Sequence, residues 1–92
     1  MGRRSALSNE ISVILYSTDY CTLCEQALDL LLSMPELAGT QLKVVDVAQD
    51  EVLQARYGER LPVLSVAGGG MPLELEWPFD TGSIVASIRQ LE

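Results

Sequence analysis

The sequence lacks histidine altogether, and it is poor in cysteine and in positive charge. Two cysteines in 92 residues supply only half of the four ligands that a zinc site normally needs, so one chain cannot build such a site. Six lysines and arginines stand against thirteen aspartates and glutamates, which gives a formal net charge of −7. Nucleic acids and anionic membrane surfaces are bound through clustered basic side chains, so we expect neither as a partner.

Long apolar runs are also missing. No run approaches the roughly 20 residues that cross a bilayer, and residues 1–5 lead into no apolar core of the signal-peptide type. We therefore expect a cytoplasmic protein. A length of 92 residues with 48% hydrophobic side chains leaves room for one domain with its own core. Residues 1–10 are polar and aperiodic, so we expect a flexible N-terminal arm followed by a single domain over residues 11–92.

The sequence does contain one close pair of thiols, Cys21 and Cys24, separated by Thr22 and Leu23. Residues 11–16 before the pair are mostly apolar and β-branched, which is typical of a buried strand, whereas the residues after it have helical periodicity. Two thiols three residues apart at such a junction can close a small disulfide ring, with Cys21 near the positive end of the helix dipole. In the cytoplasm such a pair is more often catalytic, redox-sensing or metal-binding than structural.

The first half of the chain reads as a βαβ unit. Asp19 and Thr22 both qualify as the N-cap of the first helix, and Pro35 ends its pattern. Residues 42–47 are predicted to form a second buried strand. Two strands joined through one helix should be parallel and connected by a right-handed crossover.

The second half adds a short helix, a hairpin and a closing helix. Asp50 is expected to cap a helix over residues 51–57 that turns Val52, Leu53 and Tyr57 inward. Residues 61–66 and 73–77 are predicted to pair as an antiparallel hairpin around the glycines at 68–70. Asp80 is expected to cap the last helix. The predicted order is β-α-β-α-β-β-α.

Three motifs along the chain resemble those of one protein family. They are Cys-Thr-Leu-Cys-Glu-Gln-Ala at 21–27, Tyr-Gly-Glu-Arg-Leu-Pro-Val-Leu at 57–64 and Trp-Pro-Phe-Asp at 77–80. Together they resemble the glutaredoxin-like family, small bacterial proteins of the thioredoxin-like fold, over roughly residues 11 to 91. The resemblance implies an α/β fold of the glutaredoxin type, a four-stranded mixed sheet with helices on both faces.

The resemblance also implies a function, thiol–disulfide exchange with Cys21 as nucleophile and Cys24 as the resolving thiol. The bond between Leu61 and Pro62 is expected to be cis and to lie against the cysteine pair, where the backbone before the proline would pair with an extended substrate. A plain strand start is the other interpretation. Tyr20 is expected to border the site.

Substrate and cofactor expectations follow from the same resemblance. Trp77 is predicted either to contact substrate or to pack the last helix on the sheet. We expect no bound cofactor, a monomer, and protein or low-molecular-weight disulfides as partners. Glutathione stays open as a co-substrate, because Thr22 follows Cys21 where glutaredoxins usually have proline, and residues 77–80 replace their usual Gly-Gly pair.

The charges around the cysteine pair do not favour a reactive thiolate. Asp19 and Glu25 flank the pair, and no lysine or arginine occurs between residues 16 and 41. The helix N-terminus must therefore do most of the lowering of the thiol pKa, unless a cation arrives from elsewhere in the fold. Arg60 is the first candidate and Arg56 the second. The alternative is that Arg60 is an ordinary solvated charge beside Glu59.

Two other classes of function remain open. One is a thioredoxin-like binding or redox-sensing module in which the thiols are incidental or act as a gate. The other is a dimer bridged by a metal ion or an iron–sulfur cluster, since two chains would supply four thiolates.

Overall fold

The computed structural model describes residues 11–68 and 70–91. The predicted N-terminal arm, residues 1–10, and Gly69 of the predicted glycine turn lie outside the described residues. The predicted order of strands and helices is confirmed. The elements are β1 (Ser12–Ser17), α1 (Thr22–Leu32), β2 (Gln41–Asp46), α2 (Glu51–Tyr57), β3 (Val63–Ala67), β4 (Leu73–Glu76) and α3 (Thr81–Leu91).

The four strands form one mixed sheet in the order β2-β1-β3-β4. β1 and β2 are parallel, and β3 is antiparallel to both β1 and β4. The predicted parallel pair and the predicted hairpin are therefore both confirmed. The turn before β2 contains Gly39 at a φ of 90°, a left-handed backbone conformation that glycine adopts without steric penalty. Among the described residues no helix is long and apolar enough to cross a membrane.

Helices cover both faces of the sheet, which gives two hydrophobic clusters. The larger cluster packs α1 and α3 against one face through Val13, Leu64 and Ile84, among others. The smaller cluster packs α2 against the other face around Val47, Val63 and Tyr57. Neighbouring residues of a strand point to opposite faces, so Val63 and Leu64 belong to different clusters.

Aspartates start the second and third helices, as predicted. Asp50 accepts hydrogen bonds from the backbone N–H groups of Val52 and Leu53 at 2.9 and 3.1 Å. Asp80 accepts from the N–H of Ser83 at 2.8 Å, and the hydroxyl of Ser83 accepts from the N–H of Asp80. The hydrogen bonds from Ser83 hold the pKa of Asp80 below its ordinary value, because they favour the ionised carboxylate.

Two predictions of burial are wrong. β2 was expected to be buried, but it is an edge strand and its apolar Val44 is 46% exposed. Val52 was expected to face inward from α2, but it is 74% exposed while Leu53 and Tyr57 face the sheet. Both errors have one cause. An apolar run shows that a segment is a strand or a helix, whereas its burial depends on how much of the sheet the neighbouring helices cover.

Candidate active site

Cys21 and Cys24 lie where the loop after β1 becomes helix α1. Cys21 is itself the N-cap of α1, and its sulfur accepts a hydrogen bond from the N–H of Cys24 at 3.2 Å. Neither Asp19 nor Thr22, the two predicted caps, occupies that position. The two cysteines are joined as a disulfide, with their Cα atoms 5.2 Å apart. The predicted disulfide ring is therefore present at the helix start.

The two sulfurs differ in their access to solvent. Cys24 is buried, with 4% of its surface exposed, because it shares the inward face of α1 with Ala27 and Leu31. Cys21 precedes the helix and is partly exposed. An incoming thiolate or disulfide can therefore reach Cys21 more readily than Cys24.

Three strands have a terminus at the same end of the sheet, next to the loop that leads to the cysteines. Tyr16 near the end of β1 pairs with Val63 at the start of β3, and Val63 pairs with Glu76 at the end of β4. The backbone N–H of Trp77 donates to the carbonyl of Pro62 at 3.3 Å. The topology thus brings Leu61, Pro62 and Trp77 to the same end of the sheet as the cysteine pair. The peptide bonds before Pro62 and Pro78 are cis.

The predicted apolar border of the site consists of side chains with very different exposure. Tyr20 has a φ of 58° and a fully exposed side chain directly before Cys21. A bulky residue rarely adopts this left-handed conformation, which typically costs about 1–3 kcal/mol. Leu23 is also exposed. Trp77 instead packs against the larger hydrophobic cluster and contacts Phe79 edge to face, with ring centroids 5.1 Å apart, which agrees with the packing interpretation.

Arg60 lies in a cluster that the sequence did not predict. Its guanidinium donates to the carboxylate of Glu76 at 2.6 Å and to the carbonyl of Arg56 at 3.0 Å. The partner is thus a glutamate on β4 rather than the neighbouring Glu59. Arg56 lies 3.9 Å from the carboxylate of Glu74 on the same strand. The alternation of charged and apolar residues in β4 indicates that its two glutamates share a face of the sheet. The sequence does not show which residues of α2 and the following loop they meet.

Tyr57 lies at the centre of this polar cluster, which consists of Tyr57, Arg56, Arg60, Glu74 and Glu76. Its ring stacks on Tyr16 with centroids 4.2 Å apart, and both arginines place their guanidinium groups about 5.5 Å or less from it. Its hydroxyl donates to Glu74 at 2.5 Å. Burial raises the pKa of Tyr57 from 10.0 to about 12, and the hydrogen bond to Glu74 acts in the same direction. The phenol is therefore neutral throughout the physiological range.

Metal-binding groups do not converge in the described part of the chain. Within residues 11–68 and 70–91, no three histidine, cysteine, aspartate or glutamate side chains come close enough together to hold a metal ion.

Comparison with known proteins identifies the family. The sequence model of the glutaredoxin-like domain (DUF836) matches residues 12–89. A solved structure of a protein from X. campestris is 33% identical, with a TM-score of 0.68, and the match covers 85% of this chain and 96% of that one. A protein from Nitrosomonas europaea is 25% identical with a TM-score of 0.68, over 84% of this chain and 89% of that one.

A more distant likeness extends to thioredoxin. A thioredoxin variant from Halobacterium salinarum is 19% identical with a TM-score of 0.71, over 96% of this chain and 80% of that one, a likeness of fold. A search of curated proteins finds none that matches. The family match spans most of the chain and agrees with the four-stranded mixed sheet and the disulfide at the start of α1. This chain therefore belongs to the glutaredoxin-like family and has the thioredoxin-like fold.

Proposed function

We propose that this protein is a thiol–disulfide oxidoreductase that cycles between the Cys21–Cys24 disulfide and a dithiol. In the reduced protein, the Cys21 thiolate attacks one sulfur of a target disulfide and expels the other sulfur as a thiolate. Cys24 then loses its proton and attacks the sulfur of Cys21, which releases the second thiol of the substrate. Two electrons pass from the protein to the substrate, and a reducing thiol or dithiol returns them.

The observation that carries this proposal is the unequal access to the two sulfurs at a helix N-terminus. Cys21 is partly exposed and receives the N–H of Cys24 at 3.2 Å. Both that hydrogen bond and the positive end of α1 stabilise a thiolate at Cys21. Cys24 is buried behind it. This arrangement supports attack by Cys21 and resolution by Cys24.

The two single-cysteine variants test these roles. Reduced protein is mixed with bis(2-hydroxyethyl) disulfide, quenched with iodoacetamide and analysed by mass spectrometry. We expect the wild type to become the internal disulfide, and Cys24→Ser to accumulate a mixed disulfide at Cys21. Cys21→Ser should react far more slowly, because its remaining thiol is buried. Equal reaction of the two variants would contradict the assignment.

A redox titration tests whether the pair can cycle in a cell. The protein is equilibrated in glutathione buffers that span cytosolic ratios, and the dithiol and disulfide forms are separated by mass after alkylation. We expect both forms to be populated within that range. A pair that stays fully oxidised or fully reduced throughout contradicts a cycling catalyst.

The proposal extends to substrate contacts and cellular setting. The backbone at Leu61, ahead of Pro62, is proposed to pair with an extended substrate chain, and Tyr20 to contact its side chains. The described fold positions Leu61 and Pro62 at the cysteine end of the sheet, which supports this role. We further propose a monomer that works in the cytoplasm without a bound organic cofactor, with glutathione as a co-substrate to be tested directly.

A binding module is the second candidate, because the ring of Tyr20 is fully exposed beside the disulfide and Leu23 is exposed as well. Such a module would hold its partner without using the thiols. Once a partner is identified, its affinity for a Cys21→Ser, Cys24→Ser double variant separates the two functions. Unchanged affinity together with no disulfide exchange by the wild type supports the module.

A further inference from the structure

We propose that the redox site selects disulfides that carry positive charge over disulfides that carry negative charge. This inference rests on the proposed disulfide exchange at Cys21. The substrate class is a disulfide flanked by ammonium or guanidinium groups, such as a diamine disulfide or a cystine peptide with neighbouring lysine or arginine.

Two exposed acidic residues flank the attacking cysteine along the chain. Asp19 precedes Cys21 by two residues, and Glu25 lies in the first turn of α1, where its N–H donates to the carbonyl of Cys21 at 3.1 Å. The ion pairs among the described residues involve Glu74 and Glu76 instead. Among the described residues neither Asp19 nor Glu25 is in an ion pair, so no neighbouring cation neutralises these two charges near Cys21.

The basic residues of the described segments do not offset these charges at the site. Arg60 is paired with Glu76 at 2.6 Å, and the nearest carboxylate to Arg56 in an ion pair is that of Glu74 at 3.9 Å. Lys43 lies in the middle of β2, opposite Ile14.

The remaining basic residue of the described segments is at the far end of the molecule. Arg89 lies in the last turn of α3, and that helix ends with Leu91 beside Gly68, at the end of the sheet opposite the cysteines. The described surroundings of Cys21 are therefore negative, which attracts a cationic substrate and repels an anionic one.

The exposed ring of Tyr20 is an independent reason to expect a cation. Its side chain is fully exposed in the strained loop conformation, directly before Cys21. An aromatic face attracts ammonium and guanidinium groups through its quadrupole. Together with the two carboxylates, this ring provides a surface that matches the charge and the methylene groups of a lysine, arginine or alkylamine side chain.

Three symmetric disulfides of similar size test the proposal. Cystamine is a dication, bis(2-hydroxyethyl) disulfide is neutral and 3,3′-dithiodipropionate is a dianion. Single-turnover rates of the pre-reduced full chain are measured with each and divided by the rates for dithiothreitol, which removes the intrinsic reactivity of each disulfide. At low ionic strength we expect the normalised rate for cystamine to exceed that for dithiodipropionate roughly tenfold. The ratio should shrink in high salt.

Charge-removing variants locate the effect. In the double variant that combines Asp19→Asn with Glu25→Gln, the normalised rate for cystamine should exceed that for dithiodipropionate by only about threefold or less. Any accompanying change in the pKa of Cys21 alters all three rates together and leaves the ratio unaffected. The matched control is Asp29→Asn, Glu36→Gln, which removes the same charge from exposed positions at least two helical turns beyond Cys21. The control should keep the wild-type ratio.

The outcomes separate the two proposals. Absence of reaction with the neutral disulfide overturns the proposed oxidoreductase function. Reaction with the neutral disulfide combined with equal normalised rates for the charged pair overturns only the charge selection. A preference for dithiodipropionate also overturns it. A preference for cystamine that the control loses as readily as Asp19→Asn, Glu25→Gln overturns the assignment to those two residues.

Discussion

At the residue scale, the sulfur of Cys21 has two roles at the start of α1. It is the capping atom of the helix, and it is the proposed nucleophile. Helix N-caps usually offer an oxygen, and a disulfide sulfur is a weak acceptor for the N–H of Cys24. A thiolate at the same position accepts that hydrogen bond more strongly, because its charge assists the interaction. The cap is therefore stronger in the reduced, ionised state.

Tyr57 gives the stability a pH dependence at alkaline pH. The folded protein holds the phenol neutral to a pKa of about 12, whereas the unfolded chain ionises near 10.0. The neutral phenol of Tyr57 therefore adds on the order of 1 to 3 kcal/mol to the free energy of unfolding. This stabilisation is fully present below pH 10 and is lost as the pH rises toward 12. Urea unfolding at intervals from pH 9 to 12 measures it.

Tyr57→Phe is the matched control for that series. At pH 7 the variant should be less stable than the wild type by roughly 0.5–1.5 kcal/mol, because it lacks the hydrogen bond to Glu74. Its stability should decline less between pH 10 and 12, so the two curves converge. Parallel curves would show that the pKa of Tyr57 is not raised by folding.

Arg60 was predicted from the sequence as a cation that could lower the pKa of Cys21. Its charge is paired with Glu76 at 2.6 Å, so we expect Arg60→Ala to act mainly on stability, with a loss of up to about 1 kcal/mol. The pKa of Cys21, measured from alkylation rates against pH, should change little. Arg89→Ala, at the end of the molecule far from Cys21, is the control for general loss of positive charge. A clearly higher pKa in Arg60→Ala alone would establish Arg60 as the cation.

At the scale of elements, the sequence predicted the type and order of the described strands and α-helices. It predicted neither the 3₁₀ helices at Pro35–Leu37 and Val47–Gln49 nor how far each element is buried. Periodicity and capping signals are local, so Asp50 and Asp80 could both be predicted as helix caps from the sequence. Burial of Val44 and Val52 depends on which neighbours the topology supplies, and the pattern of one segment does not contain that information.

The candidate site shows the same division between local and distant information. Cys21 and Cys24 are close in sequence, and the proline at 62 follows a recognisable motif. The polar cluster around Tyr57 forms only because the end of α2 contacts β4. Tyr57 and Glu74, which are joined by a hydrogen bond, are 17 positions apart in the sequence. The capping role of Cys21 was also missed, because sulfur is not among the usual cap atoms.

The end of α2 leaves no room for a side chain at Gly58, the residue that follows the helix. A Cβ atom added at Gly58 would lie 2.5 Å from the carbonyl oxygen of Gln54, whereas one added at Gly70 meets nothing within 4 Å. We expect Gly58→Ala to destabilise by about 1–3 kcal/mol, since the backbone must shift. Gly70→Ala should be neutral or stabilise by up to about 1 kcal/mol through the unfolded state. Chemical denaturation of both variants gives the sign of each effect.

A change at Gly58 should also affect the rate of disulfide exchange, because the residues that follow α2 lead to the start of β3 at the cysteine end of the sheet. A shifted backbone after α2 moves Arg60 and the start of β3, so Gly58→Ala should also slow exchange with peptide disulfides more than with small ones. Gly70→Ala should leave both rates unchanged. A Gly58→Ala protein as stable as the wild type would contradict the close contact with Gln54.

At the scale of the whole molecule, the sheet separates two clusters of unequal size. The larger joins both long helices to the central strands, and the smaller holds only α2, at the same end as the cysteine pair. α2 has seven residues, too few to persist as a helix without its contacts to the sheet. The smaller cluster should therefore open locally, without unfolding of the rest of the molecule.

Val66 and Val63 provide a matched test of this division. Both are fully buried valines of β3, and they face the larger and the smaller cluster respectively. Each change to alanine removes the same two methyl groups, at a cost of roughly 1–3 kcal/mol. Val66→Ala should raise hydrogen exchange throughout the sheet, because it weakens global stability. Val63→Ala should raise exchange first in α2, because the opening of α2 is confined to the smaller cluster. Identical exchange patterns in the two variants would mean that both faces of the sheet unfold as one unit, and that α2 does not open independently of the larger cluster.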